Sequence, residues 1–276
     1  MAILLHHEVE APRPCSYLPD RDATLEHLLL QEVTAEELEA MLQRGWRRFG
    51  PAYFRPACRP CGECVSLRVS VADFRPSRAQ RKARNRCARF RREVGPPRVD
   101  AARLALYRQW HAFREEARAW EPSPLTPREY ALQFAFPHPC AREVTWWDDA
   151  DPSGRPRLVA VGYCDETPRC WSAAYFFYAP ELAPLSPGVA NVVFQVELAA
   201  ARGIPHVYLG YRVGGCASLR YKGGFHPHEL LADRPGFEQA ARWVAAGEAG
   251  AAHTAGDAAG DAAGDAPAED SPGAGD

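Results

Sequence analysis

Residues 158–211 read LVAVGYCDETPRCWSAAYFFYAPELAPLSPGVANVVFQVELAAARGIPHVYLGY, and the order of patterns within them decides the fold. Leu158 to Cys164 and Trp171 to Tyr178 are short runs of aromatic and aliphatic side chains, separated by a turn at 165–169 that carries Pro168. They read as two strands. Glu143 to Trp147 reads as a third, joined through the Pro/Gly/Asp-rich stretch at 148–156, and an antiparallel meander is the simplest arrangement. Gly188 to Arg202 is rich in Val, Ala and Leu with Gly203 behind it, which predicts a buried helix feeding a strand at Val207 to Tyr211. The fold class is therefore α+β, an antiparallel-rich mixed sheet with flanking helices.

Upstream of this core, Thr34 with Glu37 forms a capping-box signature, and Leu38, Met41 and Leu42 supply an apolar stripe before Gly45. Val65 to Val71 alternates strictly, as a half-buried strand does. Ser77 with Gln80 predicts a helix through about Arg92. Asp100 opens another, with Leu106, Trp110, Phe113 and Ala117 on one face, and Thr126, Pro127 and Glu129 start a third that runs to Phe136.

The chain has 276 residues and a formal net charge of −2, but the charge is unevenly spread. Its last 33 residues, from Val244, hold no Lys or Arg and seven acids (Glu248, Asp257, Asp261, Asp265, Glu269, Asp270, Asp276). Past Val244 this segment offers no large apolar side chain, which predicts a disordered acidic tail. The body keeps 33 bases against 28 acids and is about +5. No apolar run approaches the roughly 18 residues of a membrane span. The patch Ala2 to Leu5 is too short for a secretory signal, so a cytosolic protein is expected. Nine cysteines, an odd number, argue for buried, reactive or metal-bound thiols over a disulfide framework.

Three stretches carry the chemistry. Cys58, Cys61 and Cys64 have the C-x2-C-x2-C spacing that lets a tight loop turn thiols toward one ion or cluster, with Cys15 as a fourth ligand. Zinc, an iron-sulfur cluster and a redox switch fit this spacing equally, and so does a purely structural loop. The run Arg75 to Arg92 holds nine basic residues and no acid, among them Arg78, Arg81, Lys82 and Arg84. Like charges so dense on one helix repel unless a polyanion offsets them, and a nucleic acid is the cytosolic polyanion to expect. Residues 208–229, YLGYRVGGCASLRYKGGFHPHE, follow the last core strand with glycines and place Tyr211, Tyr221 and Lys222 at its end. Free backbone donors near Gly210 would suit an acyl-transfer site, although a Gly-rich loop closing the domain has the same look.

Together these residues resemble a family. CSYLP at 15–19, GWRRFGPAYFRPACRPCGEC at 45–64, FRPSRAQRK at 74–82, AVGYC at 160–164, AAYFFY at 173–178, YLGY at 208–211 and YKGGFHPHE at 221–229 are similar, in this order, to blocks of the bacterial aspartate/glutamate leucyltransferases, relatives of the eukaryotic arginyl-tRNA-protein transferases. The chain departs from the pattern at Cys87, where Asn is expected, at Pro187 for Leu and at Leu219 for Met. The resemblance implies transfer of an amino acid, Leu before Arg, from aminoacyl-tRNA to the α-amine of proteins with N-terminal Asp or Glu, in the N-degron pathway. It implies a GNAT-like acyltransferase core at 96–243 after a cysteine-bearing region with a basic helix at 1–95, with the tail at 244–276. In eukaryotic relatives the cysteine region is associated with an iron-sulfur cluster.

The chemistry agrees with this expectation. An aminoacyl ester is already activated, and an α-amine of pKa about 7.7 to 8.0 is roughly one-tenth neutral at pH 7, so no cofactor and no strong base are required. What remains is to align amine and ester, stabilise the oxyanion and protonate the departing ribose oxygen, roles for backbone amides near Gly210 and for Tyr211 or Tyr221. An acidic first residue calls for a shielded cation, and Arg55, Arg68 and Lys222 are the candidates. Two alternatives remain. An acetyl-CoA-dependent GNAT acetyltransferase would need a glycine-rich pyrophosphate loop where this chain reads LSPGVAN, with one Gly. A non-catalytic metal-cluster protein that binds nucleic acid would leave the region after residue 140 without a role.

Overall fold

The computed structural model describes residues 1–118, 125–152 and 154–249. In chain order its elements are β1 (Ile3–Val9), β2 (Arg13–Pro14), β3 (Asp22–Ala23), β4 (Leu25–Gln31), α1 (Ala35–Gln43), β5 (Arg47–Phe49), β6 (Ala52–Pro56), β7 (Val65–Ser70), α2 (Arg78–Arg86) and β8 (Arg91–Gly95). These are followed by α3 (Ala101–Arg118), α4 (Pro127–Phe134), β9 (Ala141–Asp148), β10 (Arg157–Glu166), β11 (Cys170–Tyr178), α5 (Pro187–Ala201), β12 (His206–Arg212), α6 (Ala217–Arg220), β13 (His228–Leu231), β14 (Trp243–Ala245) and α7 (Ala246–Ala249). The meander, the helix and the last strand of the core all form where the side-chain patterns place them. All three capping boxes form as well, at Thr34, Ser77 and Thr126.

An eight-stranded sheet in the order β14-β13-β7-β12-β11-β10-β9-β8 dominates the molecule. Its neighbours are antiparallel except β11 and β12, which run parallel. One face is covered by α5, with α2 outside it; Trp171 donates to Gln195 of α5 at 2.8 Å, and Arg84 of α2 pairs with Glu197. The opposite face is shared by two bodies. Toward β9 and β10 lie α3 and α4, anchored where Arg103 pairs with the buried Glu143 (Nε–Oε2 2.8 Å) and where the Tyr130 and Tyr163 hydroxyls meet at 2.6 Å. Toward β7 and β12 lies a four-stranded sheet, β1-β4-β6-β5, with α1; Leu38, Met41, Leu42, Trp46 and Tyr53 pack there against Cys170 and Tyr208.

Two expectations differ from the structure. The basic helix stops at Arg86 rather than near Arg92, because Cys87 caps it and turns in with Phe90, both buried, and Phe90 stacks on Trp146. The next five residues then pair antiparallel with β9 as an edge strand. The predicted tail starts too early: Val244 lies in β14, paired with Leu230, and residues 250–276 lie outside the described residues. Strands β7 and β8, both before residue 96, belong to the same large sheet as the core strands after it.

The small sheet is fastened to the large one by a buried ion pair between Arg48 of β5 and Asp165 of β10. Removing one partner of such a pair leaves a buried charge unmet. The Asp165→Ala protein should lose about 3–5 kcal/mol in urea unfolding, and the double variant Arg48→Met/Asp165→Leu should recover most of it. A loss in Asp165→Ala below about 1 kcal/mol would show that water relieves Arg48.

Candidate active site where two strands part

β11 and β12 pair only through Cys170–His206, Trp171–Val207 and Ser172–Tyr208, although both strands continue. Each carries an extra residue just beyond this point. Ala174 is extra in β11 relative to β10, and Leu209 is extra in β12 relative to β7. The second bulge turns through Gly210 at φ +76°, where an L side chain would be strained. Past the last pair the strands form a fork, and the segment 45–49 bridges it. From the β12 side the Tyr211 hydroxyl donates to the carbonyls of Gly45 (2.9 Å) and Phe54 (3.4 Å). From the other side Arg47, only 5% exposed, donates through Nη2 to the carbonyls of Ala173 (2.7 Å) and Ala174 (3.2 Å) in the β11 bulge.

Gly210 and Tyr211 thus lie at the fork. Tyr221 and Lys222 follow in a 3₁₀ turn, Tyr221–Gly224, whose Gly223 is so close to Arg212 that a Cβ would meet the guanidinium at 3.1 Å. The turn therefore returns to the end of β12, with Lys222 buried and Tyr221 edge-on to Phe225.

Arg55 and Arg68 line separate cavities, and Lys222 lines neither. The first cavity, about 350 Å³, lies beside Tyr211 and the cysteine loop. There Arg55 donates to Glu26 and to the Pro235 carbonyl, both at 2.8 Å, and lies over the Trp46 ring. The second, about 430 Å³, is reached by Arg68, which donates to Glu229 at 2.7 Å and stacks on Trp243. On α2, Arg78, Arg81 and Lys82 are exposed, whereas Arg84 is half-buried against Glu197.

Cys58, Cys61 and Cys64 border the first cavity. Burial, then the neighbouring Cys58, Cys15 and Cys61, push the Cys64 thiol up to about 12, so it stays protonated at neutral pH. Four thiols are the right donor type for a soft ion. Two of these sulfurs accept from local backbone, Cys15 from Tyr17 N at 3.5 Å and Cys58 from Thr24 N at 3.3 Å. Among the described residues no group of three or more His, Cys, Asp or Glu is arranged to hold a metal ion, so this geometry does not meet the expectation of a shared zinc or iron-sulfur site.

Sequence reasoning missed the arginines that build the site. Arg47 and Arg48 stand between Trp46 and Phe49, and two charges flanked by aromatic residues in a strand were the available signal. Arg44 and Arg234 also line the cysteine cavity, donating to the backbone carbonyls of Ala40 and Gly236 and of Cys58 and Cys61. Among the described residues no helix is long and apolar enough to cross a membrane.

Residues 13–82 match the family described as arginine-tRNA-protein transferase, N terminus, and residues 102–232 its C terminus. The aspartate/glutamate leucyltransferase of a Ruegeria species is 35% identical over 80% of this chain and 79% of its own. That of Halorhodospira halophila is 33% identical over 80% and 91%, and that of Helicobacter hepaticus 29% over 83% and 93%. Among solved structures, L-PGS from Bacillus licheniformis is similar at a TM-score of 0.40 and 16% identity, over 64% of this chain and 50% of its own. With both halves matched in order, and leucyltransferases aligned over four-fifths of its length, this chain belongs to the arginine-tRNA-protein transferase family.

Proposed function

We propose that the protein transfers leucine from leucyl-tRNA to the α-amine of proteins that begin with Asp or Glu, marking them for degradation. The observation that carries this reading is the alignment of four-fifths of the chain with leucyltransferases, together with the family matches at 13–82 and 102–232, which take in the cysteine loop and the fork. The bridged fork favours it over an acetyl-CoA enzyme. Where a pantetheine arm would enter between the parted strands, Gly45 to Phe49 already spans them, and α5 begins at Ser186-Pro187-Gly188 without a glycine-rich loop. Charged tRNA assigns the work to the cytoplasm.

In this reading the amine nitrogen attacks the ester carbonyl, the bond from carbonyl carbon to ribose oxygen breaks, and that oxygen takes up a proton. Backbone N–H groups of β12 around Gly210, beyond its last pair with β11, hold the oxyanion. Tyr211, whose hydroxyl is directed to the Gly45 carbonyl, and Tyr221, in the turn that returns to the end of β12, are the two proton-donor candidates. Arg55 and Lys222 flank the fork to read the acidic first residue. Arg68, held by Glu229, serves the second cavity. Residues 1–95 supply the cysteine loop, the basic helix and two strands lent to the sheet, and residues 96–243 supply the rest of the catalytic unit. The exposed face of α2, with Arg78, Arg81 and Lys82 and with Arg84 at its edge, contacts tRNA phosphates.

Asp-, Asn- and Ala-initiated peptides incubated with separately charged leucyl- and arginyl-tRNA should gain leucine only on the Asp peptide, as read by mass spectrometry. Acetylation from acetyl-CoA, with no gain from either tRNA, would falsify the reading. Lys222→Met should cut the preference for Asp over Asn by roughly ten- to a hundredfold, the worth of one shielded charge-assisted contact. An equal fall for both peptides, with weaker tRNA binding, would assign Lys222 to the tRNA instead. Reversing Arg78, Arg81 and Lys82 to Glu spares the Arg84–Glu197 pair and should weaken tRNA binding while flattening its salt dependence. An unchanged salt titration would show that α2 faces another partner.

A further inference from the structure

The second cavity has a composition that neither the acceptor nor the fork accounts for. It lies over the large sheet between the end of α1 and β14, and it is lined by Cys170 and His206, the first pair that joins β11 to β12, and by Tyr208 of the last pair before the two strands part. Arg68 reaches it from β7, with the Tyr208 hydroxyl at 3.3 Å and the Trp243 ring at 4.4 Å. Arg169 and Arg242 stand at its rim. Arg169 is 69% exposed, with its nearest carboxylate, Glu39, 3.8 Å away. Arg242 is exposed and makes no side-chain hydrogen bond or ion pair among the described residues. Burial holds the His206 imidazole below its ordinary value, so it is neutral at neutral pH. Three guanidiniums therefore face two carboxylates, Glu39 and Glu229, and both rim arginines are open to an incoming anion.

We infer that this cavity binds a backbone phosphate of the single-stranded 3′ end of the tRNA, a contact separate from the one on α2. Guanidiniums with a phenol and an aromatic wall are donors and apolar surface, the complement of a nucleotide phosphate and its sugar. The cavity is large for a lone carboxylate and lies in the range of small-ligand sites. Its place adds the second argument. Three residue steps lead from Tyr208 to Tyr211, at most about 10 Å at the rise of a β-strand and less across the bulge, a distance that one or two extended nucleotides cover. A phosphate held over Tyr208 would thus deliver the terminal ribose, with its ester, to the fork. The nature of the nucleic acid rests on the transferase reading; the anion site itself does not.

The test uses the full chain and two probes, a 5′-phosphorylated CCA trinucleotide and intact leucyl-tRNA. Arg169→Glu/Arg242→Glu should weaken trinucleotide binding about tenfold or more and lower its salt slope by about 0.7 per lost contact. The same variant should raise KM for leucyl-tRNA while kcat and KM for an Asp-initiated peptide stay unchanged. Arg242→Gln, which removes charge without reversing it, should move both readouts less and in the same direction. The triple reversal on α2 should weaken intact tRNA yet leave the trinucleotide alone. Trinucleotide affinity indifferent to both cavity variants overturns the inference, and so does a rise in KM for the peptide alone, which would give the cavity to the acceptor. Trinucleotide binding that depends on Arg242 in a protein that transfers nothing from leucyl-tRNA would retain the anion site and refute the transferase reading.

Discussion

Two consecutive arginines buried in one short strand are the constraint on which the rest of the architecture turns. Taking a guanidinium out of water is costly unless its donors are met. Arg48 finds Asp165, and Arg47 finds two carbonyls at the bulge in β11, past its last pair with β12. Both solutions lie on the large sheet, so β5 cannot leave it without stranding two charges. Tyr211 adds a third tie from β12 to Gly45. The parted strands are therefore held apart by a segment that needs both of them. The same anchor carries β6 and the cysteine loop, and so sets the small sheet over the face that holds both cavities.

Much of this fold was legible because it is local. Thr34, Ser77 and Thr126 announce helices within four residues, and Leu158 to Tyr178 announces strands by composition. What stayed hidden was either exposed or distant. β1 is exposed along its whole length, and β8 has three exposed residues, Arg91, Arg92 and Glu93, so neither shows a buried face to give its period away. No local signal tells that β7 lies between β12 and β13, residues 136 or more further along the chain. The site was legible in part for the same reason. Gly210 and Tyr211 end a visible strand, whereas Arg47 and Arg48 tie the two sheets together through partners more than a hundred residues away.

The cysteines divide along the same line. Cys87, Cys140, Cys164 and Cys170 are buried singly, and burial raises each thiol, to about 11 for Cys87, Cys140 and Cys170 and higher for Cys164. They behave as small apolar side chains. The loop thiols are half-buried, and Cys58, Cys61 and Cys64 share a cavity with Arg44, Arg55, Arg234 and the fork residue Tyr211.

The interleaving of β7 has a consequence for the chain as it is made. A ribosome delivers Val65–Ser70 early and His206–Arg212 and His228–Leu231 near the end, yet all three are neighbours in one sheet. Until those late residues emerge, the central strand has no partner on either side and the fork does not exist. Long-range pairing of this kind is slow to form. Here a chain ending before the Tyr221–Gly224 turn lacks Lys222 and also β13, which pairs with β7 on the side away from β12.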